Sequence, residues 1–115
     1  MEVHPGVFVS NVKTEEDWRP DPEVGGDAEE HVLFEMRDSG GGWAGLSRFT
    51  ETVDPPPWTP PSREVLLVLE GEVQIVVADG PTLELKVGDM ASLPGGVETT
   101  WHFVELPFKE MAILL

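Results

Sequence analysis

Glycine and proline constrain this chain more than any other feature, because they recur often enough to cut it into short pieces. Twelve glycines and eleven prolines are spread over 115 residues. A helix needs an uninterrupted stretch of about ten residues or more, and few such stretches remain. The pieces between the breakers are rich in branched and aromatic side chains, which pack well on a pleated sheet. This distribution predicts an all-β chain.

Nine short segments between the breakers have the composition of strands. They are Val7–Val12, His31–Met36, Trp43–Thr50, Val65–Leu69, Glu72–Val77, Thr82–Leu85, Met90–Leu93, Thr99–Val104 and Phe108–Leu114. Strands that recur about every 8–12 residues are typical of a sandwich or barrel. We predict one domain over residues 1–115, a small all-β sandwich or barrel with little or no helix. Residues 1–30 are predicted to form its N-terminal strand and an acidic arm.

Turn residues lie between most of these segments. The pairs Glu70-Gly71, Asp79-Gly80 and Gly88-Asp89 can supply the positive φ that tight turns need, as can Pro94-Gly95-Gly96. The first pair is predicted to close a hairpin, and Ser39–Gly42 is predicted to be a flexible loop.

Two segments have neither a period nor a strand composition. Thr14–Glu30 is acidic and contains two prolines and two glycines, so we expect an arm crossing the surface. Asp54–Pro61 contains five prolines and cannot join a central ladder. It is expected to run extended, with Trp58 as an anchor.

The charge of the chain excludes several classes of partner. Its formal net charge is −15, whereas binding to phosphates needs clustered Lys and Arg, so we expect neither nucleic acid nor an anionic membrane surface as a partner. No apolar run approaches the ~18 residues that span a bilayer, and Met1–Lys13 does not have the pattern of a signal peptide. There is no cysteine, so disulfides and thiolate zinc sites are excluded. The expected location is the cytoplasm.

The Val65–Val77 region is apolar on both faces. Glu64, Leu66 and Val68 alternate with Val65, Leu67 and Leu69, and the next predicted strand continues in the same way. A barrel strand with one wet face alternates apolar with polar residues, so something must cover the outer face here. A homodimer is one explanation, since twofold dimers are the commonest oligomers. The N-terminal arm folded over the sheet is the other.

Two motifs lie in the second half of the chain. In the first, EVLLVLEG, Glu64 is followed after six residues by Gly71. The second, GDMASLPGG, starts at Gly88 and has five residues between its first glycine and a Pro-x-Gly. Their form and separation resemble the cupin superfamily, whose members fold as jelly-roll barrels. The resemblance covers residues 43–115 and implies the fold, while cupins host many chemistries.

The string GDMASLPGGVETTW, followed by Pro107-Phe108-Lys109, is similar to a narrower subgroup. It includes the ethanolamine-utilisation cupins and ureidoglycine aminohydrolase. There the second motif commonly ends in Gly-Thr-Trp rather than in His, and Thr100-Trp101 stands at that place. The resemblance also implies a frequently basic residue where Lys109 stands.

Metal-binding cupins carry three histidines in addition to the glutamate of the first motif. The resemblance puts these three ligands at Trp58, Pro60 and Thr99, so of four positions only Glu64 matches. A single carboxylate binds a transition metal too weakly to matter. We therefore expect no metal and no other cofactor.

Glu64 is the first candidate for a functional residue. It can project into the barrel as a catalytic general acid or base, since burial raises the pKa of a carboxyl group. It can equally pair with Arg48 or Arg63 at the mouth of the strand. Trp58, Trp101 and Phe103 either form an aromatic wall for a small ligand or simply fill the core.

Three further residues are candidate ligand-binding groups. Arg48 either points inward with Leu46 or lies outward in solvent. Lys109 either holds an anionic group or pairs with Glu105 or Glu110. The hydroxyl of Thr99 either lines a pocket or bonds nearby backbone.

The histidines are weaker candidates. His102 is expected to point outward if Thr99 points inward, because side chains alternate along a strand. His31 begins a predicted strand and can reach the rim of a barrel.

These residues allow three functional hypotheses. The first is a metal-independent cupin that binds a small organic molecule in the mouth of the barrel. The second is an enzyme without metal that uses Glu64 on a small carboxylate or amine substrate, held by Arg48 or Lys109. The third is a metalloenzyme with unusual ligands that include Glu64 and His31.

Overall fold

The computed structural model describes residues 1–36 and 42–115, and each regular element in those ranges is a β-strand. The strands are β1 (Glu2–His4), β2 (Val7–Phe8), β3 (Arg19–Pro20), β4 (Glu29–Glu35), β5 (Trp43–Phe49), β6 (Glu64–Val77), β7 (Thr82–Leu85), β8 (Met90–Leu93) and β9 (Thr99–Leu114). The all-β prediction is confirmed. Most of the predicted loop Ser39–Gly42 lies outside the described residues. No described segment forms the long apolar helix that a membrane crossing by helix requires.

Two long strands organise the sheet. Strands β6 and β9 pair antiparallel over nearly their whole lengths, from Glu64 opposite Leu114 to Val77 opposite Thr99. The sheet runs β3-β4-β5-β9-β6-β7, and β8 pairs with the first part of β6. Strands β1 and β2 form a separate hairpin. The result is an antiparallel all-β fold of the jelly-roll kind, which the cupin resemblance implies.

The predicted hairpin at Glu70-Gly71 is wrong, because β6 continues through both residues. Gly71 does have a positive φ of 78°, but it lies in an irregularity where the register with β9 shifts. A Cβ atom there would lie 2.5 Å from the carbonyl oxygen of Glu105. The glycine lets two backbones approach at a bulge, and a bulge selects the same residue type as a turn.

The predicted strands Thr99–Val104 and Phe108–Leu114 are likewise one strand, β9, which continues through Pro107. The turns at Asp79-Gly80, Gly88-Asp89 and Pro94-Gly95-Gly96 are confirmed, and Asp79 has a φ of 55°.

The core lies on the inner face of the long strands. Leu66, Val68, Val73 and Ile75 of β6 are each at most 1% exposed, which confirms the predicted alternation. Three phenylalanines pack beside them, with the ring of Phe103 4.7 Å from that of Phe108 and 4.5 Å from that of Phe49 between centroids. This packing fills one part of the barrel.

The N-terminal arm covers part of the outer face. His31 of β4 is only 4% exposed. One of its ring nitrogens lies 2.7 Å from Ser10 Oγ and the other 2.9 Å from the carbonyl oxygen of Glu16, so the N-terminal residues cover the ring. Leu46 of β5, opposite His31, is also buried. Elsewhere on this face five apolar side chains remain partly exposed, namely Val65, Leu67, Leu69, Met111 and Ile113.

Candidate binding site

A cavity of about 550 Å³ lies against the inner face of the sheet. Strands β5, β6 and β9 form its floor. Its other walls come from residues 19–28 of the arm, from Glu30, Glu35 and Met36 in and just after β4, and from the proline-rich segment, residues 55–61. Prolines hold the latter segment out of the ladder, apart from one bridge between Trp58 and Thr99. The cavity is therefore lined by residues that lie far apart in the sequence.

Glu64 faces this cavity from the first position of β6. It is 4% exposed, and its Oε1 accepts a hydrogen bond of 2.8 Å from the indole nitrogen of Trp58. Burial raises the pKa of Glu64, and the hydrogen bond from Trp58 opposes that rise. The alternative pairing with an arginine is wrong, since Arg63 donates to Ser92 and Arg48 to Glu29. Glu64 is therefore a buried carboxyl group without a cationic partner in the described chain.

A second buried carboxyl group, Glu110 of β9, lines the same cavity. It is 5% exposed, and no described residue forms a hydrogen bond with its buried Oε2. Burial raises the pKa of Glu110 well above its usual range, and the nearby charge of Glu64 raises it further. From the sequence, Glu110 is expected only as a partner for Lys109. The alternation of Phe108, Glu110 and Ala112 was the signal that places it inward.

Thr99 supports Trp58 rather than facing the cavity. Its backbone exchanges two hydrogen bonds with that of Trp58, of 2.8 and 2.7 Å. Its hydroxyl donates to the carbonyl oxygen of Trp58 at 2.7 Å and accepts from the indole nitrogen of Trp101 at 2.8 Å. Thr99 is fully buried, and its hydroxyl positions the backbone of Trp58 and the indole of Trp101. This is the backbone-bonding alternative of the two predicted for it.

The three predicted aromatic residues have different surroundings. Trp58 and Trp101 line the cavity, and Trp101 also packs edge-on against Phe108 with a centroid distance of 6.3 Å. Phe103 is buried within the aromatic core and is not part of the cavity wall. Trp43 of β5 completes the wall and was missed, because its strand neighbours give no hint of a ligand.

Arg48 and Lys109 lie on the opposite face of the sheet. Arg48 donates to Glu29 at 3.0 Å, and its guanidinium carbon lies 3.9 Å from the ring centre of Trp18 in the arm. The inward alternative for Arg48 is wrong because its neighbours Ser47 and Phe49 face the cavity. Lys109 donates to the carbonyl oxygen of Val12 at 2.7 Å and lies 3.5 Å from Glu70, not beside Glu105 or Glu110. Both cations therefore bind the N-terminal part of the chain, Arg48 through Glu29 and Lys109 through Val12.

The residues at the metal positions of cupins do not fit a metal ion. Trp58 stands where a metal ligand would be needed, but its indole donates a hydrogen bond to Glu64. The hydroxyl of Thr99 is bonded to the backbone of Trp58. Within residues 1–36 and 42–115, no group of three His, Cys, Asp or Glu side chains is arranged to hold an ion. His31 lies on the opposite face from Glu64, so the two cannot share one. His102 points outward as predicted and lies 2.6 Å from Asp54.

Acidic side chains dominate the polar part of the cavity wall. Among the described residues that line it, six are acids (Asp21, Glu23, Glu30, Glu35, Glu64 and Glu110) and one is a base, Arg19. Arg19 lies 2.9 Å from Glu30 and 3.5 Å from Glu35. Hydrogen bonding to Glu30 raises the pKa of Arg19. Arg19 stays charged, and its charge is already paired with those of Glu30 and Glu35.

Fold and cavity together define a small jelly-roll barrel whose interior is partly filled and partly open. Residues 55–110 match the family of EutQ-like cupin domains. This match covers just under half of the chain, and together with the two motifs and the topology it supports a small cupin, as their resemblance predicts. No curated protein matches the chain.

Solved structures share the fold. An ethanolamine utilization protein, EutQ, from Salmonella typhimurium superposes with a TM-score of 0.68 at 21% identity, over 84% of this chain and 76% of that one. A protein of unknown function from Acidithiobacillus ferrooxidans gives 0.64 at 17% identity, over 84% and 85% of the two chains. A cupin superfamily protein from Desulfitobacterium hafniense gives 0.64 at 18%, over 76% of each. Such identities support the fold alone.

Proposed function

We propose that this cupin binds a small organic molecule in its cavity without using a metal ion. The observation that carries the proposal is a cavity of about 550 Å³ with two buried carboxyl groups and an indole wall. Ligand pockets are typically apolar clefts of ~300–1,000 Å³ with a few convergent polar groups. Trp58 and Thr99 stand where metal-binding cupins have histidines, which supports binding of the molecule by side chains alone.

Each wall has a role in such binding. Trp58 and Trp101 offer flat apolar surface, and their indole nitrogens are already bonded, so they act by stacking. Glu64 and Glu110 offer the polar groups that orient a ligand. The arm and the proline-rich segment limit the access of water.

A thermal-shift screen of small metabolites tests this proposal. A ligand at about 100 times its dissociation constant stabilises a protein by ~2.7 kcal/mol, which a melting curve detects readily. Replacing Trp58 with Ala should weaken any hit by about tenfold, since stacking on an indole is worth roughly 1–3 kcal/mol. The control Trp18→Phe changes an indole outside the cavity wall and should leave the affinity unchanged. No hit from a broad library of acids, amines and sugars would refute the proposal.

Acid–base catalysis is a second candidate function. It is favoured by two buried carboxyl groups of raised pKa in one cavity, since a raised pKa makes a carboxyl group a better proton acceptor. In this case Glu64→Gln abolishes turnover of a substrate found among the ligands, while its affinity falls by a much smaller factor. Unchanged turnover would remove Glu64 from the mechanism. Arg48 and Lys109 are not part of this candidate, because they lie on the other face.

We also propose that the chain forms a homodimer through its outer face. Leu67 of β6 lies opposite Met111 of β9 and opposite Met90 of β8, which is 76% exposed. Trp18 of the arm packs farther along the sheet, on Arg48, and the apolar side chains Leu67 and Met111 remain partly exposed. Light scattering should give twice the chain mass of 12.6 kDa, and Leu67→Glu should give monomers. A 12.6 kDa particle for the unaltered chain would refute the dimer.

Other partners and the cellular location stay predictions. The charge of −15 supports the absence of nucleic-acid and membrane binding, and the cytoplasmic location awaits fractionation of cells.

A further inference from the structure

We infer that the ligand is a small organic cation, a protonated primary or secondary amine bound beside Glu110. The inference rests on the proposed binding function and adds the chemical class of the ligand. It is carried by an unpartnered buried carboxyl oxygen, by the sign of the charge in the cavity wall and by the indoles beside it.

The first observation is the unused oxygen of Glu110. Buried polar groups in folded proteins almost always have a hydrogen-bond partner, and an orphaned one costs about 1–3 kcal/mol. Oε2 of Glu110 has none among the described residues, and the residue to which it belongs lines a cavity open to a ligand. An ammonium group donates hydrogen bonds and carries the opposite charge, so it would supply this missing partner. It would also favour the ionised form of the carboxyl group.

The second observation is the imbalance of charge around the cavity. Six acids and one arginine are found among its described lining residues, and that arginine is bonded to Glu30 and Glu35. An anionic ligand would meet no free cation in this part of the wall, because Arg48 and Lys109 bind the arm on the other face. The excess of acidic side chains in the wall therefore favours a cationic ligand over an anionic one.

The third observation is the aromatic content of the wall. Trp43, Trp58 and Trp101 line the cavity together with Ala112 and Leu114 of neighbouring strands. Indole is the aromatic group that attracts cations most strongly, and apolar surface beside it accommodates the carbon skeleton of an amine. A bare metal ion would gain nothing from such a wall, whereas an organic cation uses both of its properties.

Two sets of matched probes test the charge class directly. One contains benzylamine, benzyl alcohol and benzoate, and the other contains propylamine, 1-propanol and propionate. Binding is followed through the indole N–H signals in NMR spectra of the labelled full chain. We expect the amine of each set to bind at least about tenfold more tightly than the alcohol or the carboxylate. Tetramethylammonium, a cation without an N–H group, should bind more weakly than propylamine, because it cannot donate to Glu110.

The variant Glu110→Gln tests the named residue. It should weaken amine binding about tenfold or more, because the charge and one acceptor are lost together. The control Glu84→Gln removes the same charge from an exposed position on β7 and should change the affinity by less than about twofold. The dispersion of the amide signals shows whether each variant is folded.

The outcomes separate the two proposals. Equal binding of alcohol, carboxylate and amine, or amine binding that Glu110→Gln leaves intact, overturns the inference while the cavity keeps its proposed function. Absence of any amine binding also overturns the inference, and the metabolite screen then decides the proposed function alone.

Discussion

Glu110 illustrates how much a single buried residue can oppose folding. In the unfolded chain this carboxyl group ionises at a pH of about 4.3, whereas burial and the charge of Glu64 keep it protonated to higher pH in the fold. A group whose pKa is raised on folding reduces stability progressively as the pH rises above its unfolded value. A buried Glu110 therefore suits ligand binding at a cost in stability.

Replacing Glu110 with Gln should stabilise the protein at neutral pH. Glutamine has a similar shape without an ionisable group, so the variant avoids the cost of a raised pKa and should gain at least about 1 kcal/mol at pH 7. Near pH 4 the two proteins should differ little, because the carboxyl group is then largely protonated in the unfolded chain as well. Urea unfolding at both pH values measures this difference. A variant less stable than the unaltered protein at pH 7 would contradict the explanation.

The irregularity in the pairing of β6 with β9 depends on one glycine. Gly71 has a positive φ, and its Cα faces the carbonyl oxygens of Glu105 and Pro107 at a spacing that leaves no room for a side chain. The backbone conformation and the close contact exclude other residues independently of each other.

Replacing Gly71 with Ala should therefore destabilise the fold by about 2–4 kcal/mol. Gly88 provides a matched control, since its φ is 91° but no atom lies within 4 Å of the position that a Cβ would take. Gly88→Ala should cost only about 1 kcal/mol, from backbone strain alone. Chemical denaturation of both variants checks the prediction, and equal losses would show that the contact with β9 does not matter.

The arm is attached to the barrel by a carboxylate. Asp27 accepts hydrogen bonds from the backbone nitrogens of Thr50, Glu51 and Thr52 and from the hydroxyl of Thr50, at 2.7–3.2 Å. Burial by itself would raise the pKa of Asp27, but these donors outweigh it and hold the pKa well below its usual range. The contact fixes the segment that closes the cavity.

Asp27→Ala should lower stability at pH 7 by about 2 kcal/mol, because several charge-assisted hydrogen bonds are lost. A depressed pKa contributes stability above the unfolded value of about 3.9, and this contribution disappears as the pH falls through the folded value. The difference between variant and unaltered protein should thus shrink below pH 4. Thermal melts from pH 2 to 7 follow it, with Glu84→Gln as a control. A constant difference would exclude the ionised carboxylate as its cause.

The whole molecule carries a large negative charge for its size. With 22 acids and seven bases, its charges repel one another, and repulsion is stronger in the compact state than in an unfolded chain. The acids around the cavity add to this field. We therefore expect electrostatics to oppose folding and to attract cations.

Added salt should consequently stabilise the protein. Raising NaCl from about 0.01 to 0.1 M shortens the screening length from ~30 to ~10 Å, so that repulsion between distant carboxylates is weakened. The melting temperature should rise over this range and rise less in variants with fewer exposed acids. A fall in melting temperature with salt would mean that ion pairs such as Arg19–Glu30 outweigh the repulsion.

The sequence determined the strand composition, the turns at Asp79-Gly80 and Pro94-Gly95-Gly96, the inward face of β6 and the cupin resemblance. These features are local, since alternation and turn chemistry depend on neighbouring residues. Glu64 could be placed inward for the same reason. The bulge at Gly71 could not be distinguished from a hairpin, because both select glycine and differ only in the partner strand.

Only the tertiary structure decided which side chains meet in the cavity. Glu110 and Glu64 lie 46 positions apart and share it because β6 and β9 pair over a long register. Arg48 and Lys109 lie outside it because they alternate with inward-facing neighbours, and on the other face they bond to Glu29 and Val12. Such proximity depends on long-range pairing and packing, which no local pattern encodes, whereas the barrel itself follows from where the chain places its breakers and its apolar residues.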